Sequence, residues 1–219
     1  MTPVPGAKRL RWRPRAAGLT VLGVLVAAGP AQGGSPGRFE NPALGFEITR
    51  PDHWHFASRQ AGTAPSPRSR QPEAVARFLS RHPRGALVTI TRHREPYPAP
   101  NPTVQVALRP LGAFAGADPK MLMAGLTAPL EQSLKGFRVT RPAADVTIAG
   151  LPAVHMAFSY LPRNAPHTRV GNDLWVVPRG DYYFLVGAAV PPRDAARTRQ
   201  DVRRMVGSIG IRPAPASPH

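Results

Sequence analysis

The sequence predicts an α+β domain in which a mainly antiparallel sheet carries helices on its faces. Three observations lead to this prediction: strand-like segments that alternate between apolar and polar residues, short turns that join them in series, and two amphipathic helices. Strand and helix do not alternate in the way that a parallel dinucleotide-binding sheet requires. The chain has 219 residues, which is enough for one domain with a substantial core.

The segment 38–54 predicts a tight turn, a short strand and a buried aromatic residue, in that order. Asn41 and Gly45 suit the turn, because an asparagine side chain can bond to its own backbone and glycine tolerates a positive φ. Phe46 then faces the core from the strand. Trp54 is expected to fill the core and to keep its indole N–H near the rim.

Two strands and a helix are predicted in the middle of the chain. The strands cover 86–92 and 103–108, and the second alternates strictly. Asp118 followed by proline marks the start of the helix, and Gly136 marks its end. Pro129 lies inside and predicts either a kink or a split into two short helices. The apolar face repeats every three or four residues and consists of Met123, Leu126, Leu130, Leu134 and Phe137.

Two hairpins are predicted next. The first turns at Gly150-Leu151-Pro152, and the second turns around Pro178-Arg179-Gly180-Asp181. The last strand of the second hairpin is apolar on both faces, so we place it in the centre of the sheet, where both sides are covered. Its Tyr183 is expected to anchor the core. The four strands cover 145–148, 153–160, 169–177 and 182–190.

An amphipathic helix over 192–206 and a short strand over 209–212 close the predicted domain. Arg193, Arg197 and Arg204 line the outer face of this helix and are candidates for contact with an acidic partner. The same stripe also fits an ordinary solvated face in a chain rich in arginine.

A second basic cluster includes Arg77 and Arg81, on a short helix predicted at 73–80. It carries the same two interpretations, partner contact or solvated surface. The preceding stretch 61–72 is rich in proline, serine and arginine and predicts a flexible insertion. The tail 213–219 is expected to be disordered.

Residues 1–33 predict a signal peptide, with a basic start followed by an apolar run at 16–28 and small residues suited to cleavage. An uncleaved N-terminal anchor is the alternative, and 34–37 is a linker. The whole chain carries +17; five basic residues and no acid lie in the leader, so the remainder carries about +12. Such a charge allows weak contact with an anionic membrane surface. Motifs for nucleic-acid binding are absent from the sequence, and export argues against that function.

Two histidines, His53 and His55, flank Trp54 and are weak candidates for a metal site. Residues two apart in an extended segment point to the same side, and two imidazoles at that spacing can chelate zinc. A site needs at least one more ligand, and nothing in the sequence fixes its position. Phosphate-binding loops, HExxH and GxSxG are absent from the sequence, and no carboxylate pair is placed for catalysis.

Several short motifs resemble those of the PsbP-like (Mog1/PsbP) superfamily. The resemblance covers roughly 38–212 and implies an α/β/α sandwich, no enzyme activity, and roles in binding or assembling other proteins. It implies no ligand residues. The arginine-rich stretch between 61 and 84 is longer than the family pattern. The motifs are ENPALGFEI at 40–48, PDHW at 51–54, GLPA at 150–153, DYYFL at 181–185 and MVGSIGI at 205–211.

The sequence therefore predicts an exported accessory protein, periplasmic or extracellular, that binds a protein partner or a small ligand in the cell envelope without catalysis or a cofactor. The alternative is a metal-dependent envelope hydrolase that uses His53 and His55. The absence of cysteine excludes disulfides and a lipid-modified N-terminal cysteine.

Overall fold

The computed structural model describes residues 37–57, 86–193 and 195–212. The predicted leader, the insertion at 61–72, the helix at 73–80 and the tail at 213–219 lie outside this part of the chain. No helix within the described part is long and apolar enough to cross a membrane.

Two antiparallel sheets form the framework. The smaller has the order β1-β2-β10, and the larger has the order β3-β4-β5-β9-β8-β7-β6. Both sheets pair antiparallel throughout, and helices cover the larger one, so the predicted α+β class is confirmed. The strands are β1 (Arg38–Asn41), β2 (Phe46–Thr49), β3 (His55–Phe56), β4 (Val88–Thr91), β5 (Thr103–Pro110), β6 (Arg138–Ile148), β7 (Leu151–Tyr160), β8 (Val170–Arg179), β9 (Tyr182–Val190) and β10 (Gly210–Ile211).

Two α-helices pack on opposite faces of the larger sheet: α1 (Pro119–Ser133) and α2 (Ala195–Gly207). Because strand side chains alternate, one set of residues faces each helix. On the α1 side, Leu122 and Met123 pack against sheet residues that include Val154, Met156, Phe158, Leu174 and Val176. On the α2 side, Val202 and Met205 pack against residues that include Val104, Val106, Trp175, Phe184 and Val186.

Strand β9 lies in the centre of the larger sheet, between β5 and β8, as predicted. Its residues Phe184, Val186 and Ala188 are fully buried on the α2 side. Tyr183 is half-buried and packs against the apolar cluster on the α1 side. Coverage on both faces explains the continuous apolar run of this strand.

The expected split of the first helix at Pro129 is wrong. Helix α1 runs through Pro129 as one element and ends at Ser133, before Gly136, which has φ +65°. The proline ring is on the exposed side, while Leu126 and Leu130 pack against the core on either side of it. This packing keeps both halves in one helix, although a proline inside a helix lacks one backbone hydrogen bond.

The turn of the next hairpin is shifted from its predicted position. The turn residues are Ala149 and Gly150, with φ +52° and +77°, and β7 already begins at Leu151. A two-residue hairpin loop needs a positive φ at both positions, and here an alanine adopts one of them. Strand β6 also starts well before the predicted Asp145. It is an exposed edge strand with two irregularities in its register, and it lacks apolar alternation.

The opening segment joins the two ends of the domain. Asn41 Oδ1 accepts a hydrogen bond from the Leu44 N–H at 3.2 Å and so caps a short 3-10 turn. Gly45 follows with φ +61°, and the Arg212 N–H donates to its carbonyl at 2.8 Å. A Cβ at Gly45 would lie 2.4 Å from the Arg212 carbonyl oxygen. Phe46, fully buried, then starts β2.

Helix α2 is fixed to the segment before β3 by one buried carboxylate, that of Asp201. Its Oδ2 accepts from Trp54 Nε1 at 3.0 Å and from His53 Nε2 at 2.7 Å, and its Oδ1 accepts from Arg204. Asp201 and Trp54 are both fully buried. Burial acts to raise the pKa of Asp201, but the hydrogen bonds from Trp54, His53 and Arg204 outweigh it and hold the pKa below its ordinary value.

Replacing Gly45 with alanine is expected to lower the free energy of unfolding by about 3 kcal/mol, because a left-handed backbone and a clash with a carbonyl add together. The matched control is Gly150→Ala. Gly150 also has a positive φ, but a Cβ there meets nothing within 4 Å. That variant is expected to lose only about 1 kcal/mol. Urea unfolding of both variants measures the difference, and equal losses would contradict the close approach.

Replacing Asp201 with alanine is expected to lower the free energy of unfolding by about 3 kcal/mol near neutral pH, because buried donors lose their acceptor. A depressed carboxyl pKa gives stability that is present above the unfolded pKa of about 4 and is lost as the pH falls through the folded pKa. The gap between wild type and variant should therefore shrink in acid.

Arg204→Ala removes only an exposed partner and is expected to change the free energy of unfolding by less than about 1 kcal/mol. Urea unfolding over a pH series measures the difference in free energy of unfolding between the wild type and Asp201→Ala. A difference that stays constant into acid would contradict the predicted role of the depressed carboxyl pKa.

Candidate functional site

A pocket of about 610 Å³ lies between α2 and the β6-β7-β8 part of the larger sheet. Four arginines line it, together with a single carboxylate, and we call it the arginine pocket. Its charged and polar residues are Arg141, Arg169, Arg199, Arg203, Asp173, His155, Ser159, Thr140 and Asn172.

The arginines reach the pocket from three parts of the chain. Arg141 comes from the edge strand β6, Arg169 directly precedes β8, and Arg199 and Arg203 are one turn apart on α2. Gly171 allows α2 to place Arg199 close to the sheet. A Cβ at Gly171 would lie 3.3 Å from Arg199 Nη2, so the glycine leaves room for the guanidinium.

Beneath the arginines lies an almost buried pair of side chains from neighbouring strands. His155 Nε2 donates to Asp173 Oδ1 at 2.8 Å, and the imidazole stacks on Trp175 with ring centroids 4.7 Å apart. Asp173 thus has a partner within the pocket. The lining arginines outnumber this carboxylate four to one, so the pocket has a positive potential.

The remaining polar contacts of the pocket fix the position of an arginine. Arg169 Nη1 donates to the Gly136 carbonyl at 2.7 Å and to Ser159 Oγ at 3.3 Å. Guanidinium groups bind carboxylate and phosphate groups with paired N–H donors, and a partly enclosed pocket strengthens such bonds. The arrangement is suited to holding an anion.

The arginines predicted for partner contact lie elsewhere, and Arg193 falls just before α2, which begins at Ala195 and not at the predicted residue 192. Arg193 and Arg197 are exposed and do not line the arginine pocket. Arg204 pairs with Asp201. Arg77 and Arg81 lie outside the described residues. The structure therefore does not bring the predicted arginines together in the pocket.

The two candidate metal ligands have different surroundings. His53 bonds to the buried Asp201, while His55 lies in β3. Burial lowers the pKa of His55, and positive neighbours, led by Arg94 and Arg50, lower it further. The same positive neighbours disfavour a metal cation. Within the described ranges, no three His, Cys, Asp or Glu side chains are close enough to share an ion.

Sequence reasoning missed the four arginines of the pocket. For Arg199 and Arg203 a signal existed, because residues four apart on a helix share a face, and these two flank the apolar stripe around Val202. For Arg141 and Arg169 there was none. They meet the helix only through the long pairing of β6 with β7 and of β7 with β8.

Comparisons with known proteins identify a fold. No family model matches the sequence, and no curated protein matches it. Among solved structures, the chain is similar to LpqN, involved in cell envelope biogenesis of Mycobacterium tuberculosis, with 15% identity, a TM-score of 0.50, and coverage of 82% of this chain and 87% of that chain. It is also similar to the cyanobacterial PsbP protein CyanoP from Synechocystis sp. PCC 6803, with 10% identity, a TM-score of 0.49, and coverage of 84% and 98%.

At 15% and 10% sequence identity, a structural likeness concerns the fold alone. The likeness to LpqN extends over most of both chains. The chain therefore shares the fold of LpqN, and the PsbP-like resemblance stays a prediction.

Proposed function

We propose that this chain is an exported, non-catalytic accessory protein of the cell envelope that binds a small anionic ligand in the arginine pocket. One observation carries the proposal. Arg141, Arg169, Arg199 and Arg203 converge on a pocket of about 610 Å³ whose lining carboxylate is already bonded to His155. That volume lies within the range of about 300–1,000 Å³ that is usual for small-molecule sites.

Two features support the envelope location. The leader at 1–33 has the composition of a signal peptide. LpqN, which shares the fold, is described as involved in cell envelope biogenesis. We propose a periplasmic or extracellular location on this basis, with an uncleaved leader as the alternative to free release.

The polar side chains of the pocket support binding rather than catalysis. The His155 ring bonds to Asp173, and the Ser159 hydroxyl accepts from Arg169. Catalysis by a serine needs a base within about 3 Å of its hydroxyl, and here His155 and Ser159 are four residues apart on one strand, about 13 Å. The rival hydrolase would use His53 and His55. Stoichiometric zinc in the purified protein that disappears in a His53→Ala, His55→Ala double variant would favour it.

A protein partner is the second candidate, and the exposed side of α2 favours it. Arg197 on α2 and Arg193 just before the helix are both solvent-exposed, as a contact with an acidic protein surface requires. Such an exposed basic surface suits a large partner, whereas the pocket selects a small one.

Citrate, a compact trianion, is a suitable probe of the pocket. An Arg199→Gln, Arg203→Gln double variant is expected to bind citrate at least about tenfold more weakly than wild type, because it loses hydrogen bonds to a charged group. The wild-type affinity should fall as salt is added. Titration calorimetry at two ionic strengths measures both effects.

The matched control is an Arg193→Gln, Arg197→Gln double variant, which loses the same charge outside the pocket, one arginine from α2 and one from just before it. Its citrate affinity is expected to stay within about twofold of wild type. If this control loses affinity as strongly as the pocket variant, binding follows overall charge and the pocket is not the site. If only the control loses affinity, the exposed stripe is the binding surface.

A further inference from the structure

A second groove lies on the opposite face of the larger sheet, beneath α1, and has a volume of about 420 Å³. Leucine is the commonest residue in its walls, so we call it the leucine groove. The leucines are Leu126, Leu130 and Leu134 from the α1 region, Leu174 from β8 and Leu185 from β9.

The groove crosses the sheet from one strand to the next. Its floor follows the neighbouring strands β5, β9, β8 and β7, a distance of three strand spacings or about 14 Å. Gly187 lies in this floor and presents no side chain. A Cβ at this position would lie 3.8 Å from Leu174 Cδ1, which is an ordinary van der Waals contact. A side chain would therefore fit here, and its absence leaves the floor of the groove open.

The two ends of the groove differ in chemistry. At the β5 end lie Gln105 and Arg109, and at the β7 end lie Phe158 and Tyr160. Among the described residues that line the groove, Arg109 alone is charged. Its Nη1 donates to the Leu108 carbonyl at 2.7 Å, which fixes the direction of the guanidinium.

The aromatic end stays uncharged. Burial raises the pKa of Tyr160, so its phenol keeps its proton at physiological pH. An occupant of the groove therefore meets an apolar channel that is neutral at one end and positive at the other. This polarity is complementary to a molecule with a hydrocarbon chain and an anionic head.

We propose that the leucine groove binds the acyl chain of an anionic amphiphile, with its carboxylate at Arg109 and its methyl end towards Phe158 and Tyr160. The volume of about 420 Å³ suits a medium-length chain. The chain would cover the half-buried leucines of α1, which explains why these side chains face a groove instead of a closed core. This site differs from the arginine pocket, since the two lie mainly on opposite faces of the sheet, and only Phe158 and Asn172 border both.

The test is calorimetric titration of the full chain with laurate below its micellar concentration. Laurate is expected to bind at one site, and decanoate about tenfold more weakly, because two fewer methylenes are buried. Dodecyltrimethylammonium, with the same chain and a positive head, is expected to show no binding.

Variants locate the site. Gly187→Val places a side chain in the floor and is expected to weaken laurate binding by at least about tenfold. Gly187→Ala, with its ordinary contact to Leu174, is expected to cause a smaller loss and replaces the valine variant if that one fails to fold. Arg109→Gln is expected to remove the preference for the anionic head, whereas Arg109→Lys keeps it. Arg199→Gln, in the arginine pocket, leaves laurate affinity unchanged.

Three results would overturn the proposal. Equal laurate affinity in the wild type and the folded Gly187 variants would place the amphiphile elsewhere. Equal binding of the cationic and anionic amphiphiles would remove the role of Arg109. Loss of laurate binding in Arg199→Gln but not in the Gly187 variants would assign laurate to the arginine pocket. If laurate binds but citrate does not, the proposed function is wrong and the inference about the leucine groove still holds.

Discussion

The buried carboxylate of Asp201 determines where α2 lies. A carboxylate without contact to solvent needs donors around it, and Trp54, His53 and Arg204 supply them from two different segments. Trp54 and His53 lie outside α2, so their hydrogen bonds to Asp201 fix both the rotation of the helix and its position along the sheet. Arg199 lies on the same helix and owes its place in the arginine pocket to this attachment. The binding chemistry thus depends on a group that takes no part in it.

The larger sheet separates two kinds of site by the alternation of its strands. In β8, Asp173 faces α2 and the arginine pocket, while its neighbour Leu174 faces α1 and the leucine groove. In β7, His155 lines the arginine pocket and Tyr160 lines the leucine groove. A sheet this wide cannot be covered by a helix of thirteen or fifteen residues, so each face keeps an open area beside its helix. Alternation gives one area polar walls and the other apolar walls.

Most of the fold could be predicted, since it depends on local patterns. The alternation of β7, the apolar run of β9 and the turn at Gly45 all have signals within a few residues. Of strand β6 only the end, 145–148, could be predicted, because the exposed first part of this edge strand needs no apolar face. The arginine pocket could not be predicted either. Arg141 and Arg199 are far apart in sequence, and only the long-range pairing of the strands brings them to one place.

The exposed edge strand β6 has a consequence for how the protein behaves among other copies of itself. An open strand edge offers backbone groups to any passing strand and so invites aggregation. In β6 this hazard is limited: Pro142 has no N–H to donate, two register shifts disturb the regular ladder, and Arg138 and Arg141 add like charges. A second copy that approaches β6 in register meets the same arginines and the same missing N–H at Pro142. The sheet can therefore end at β6 without continuing into a fibre.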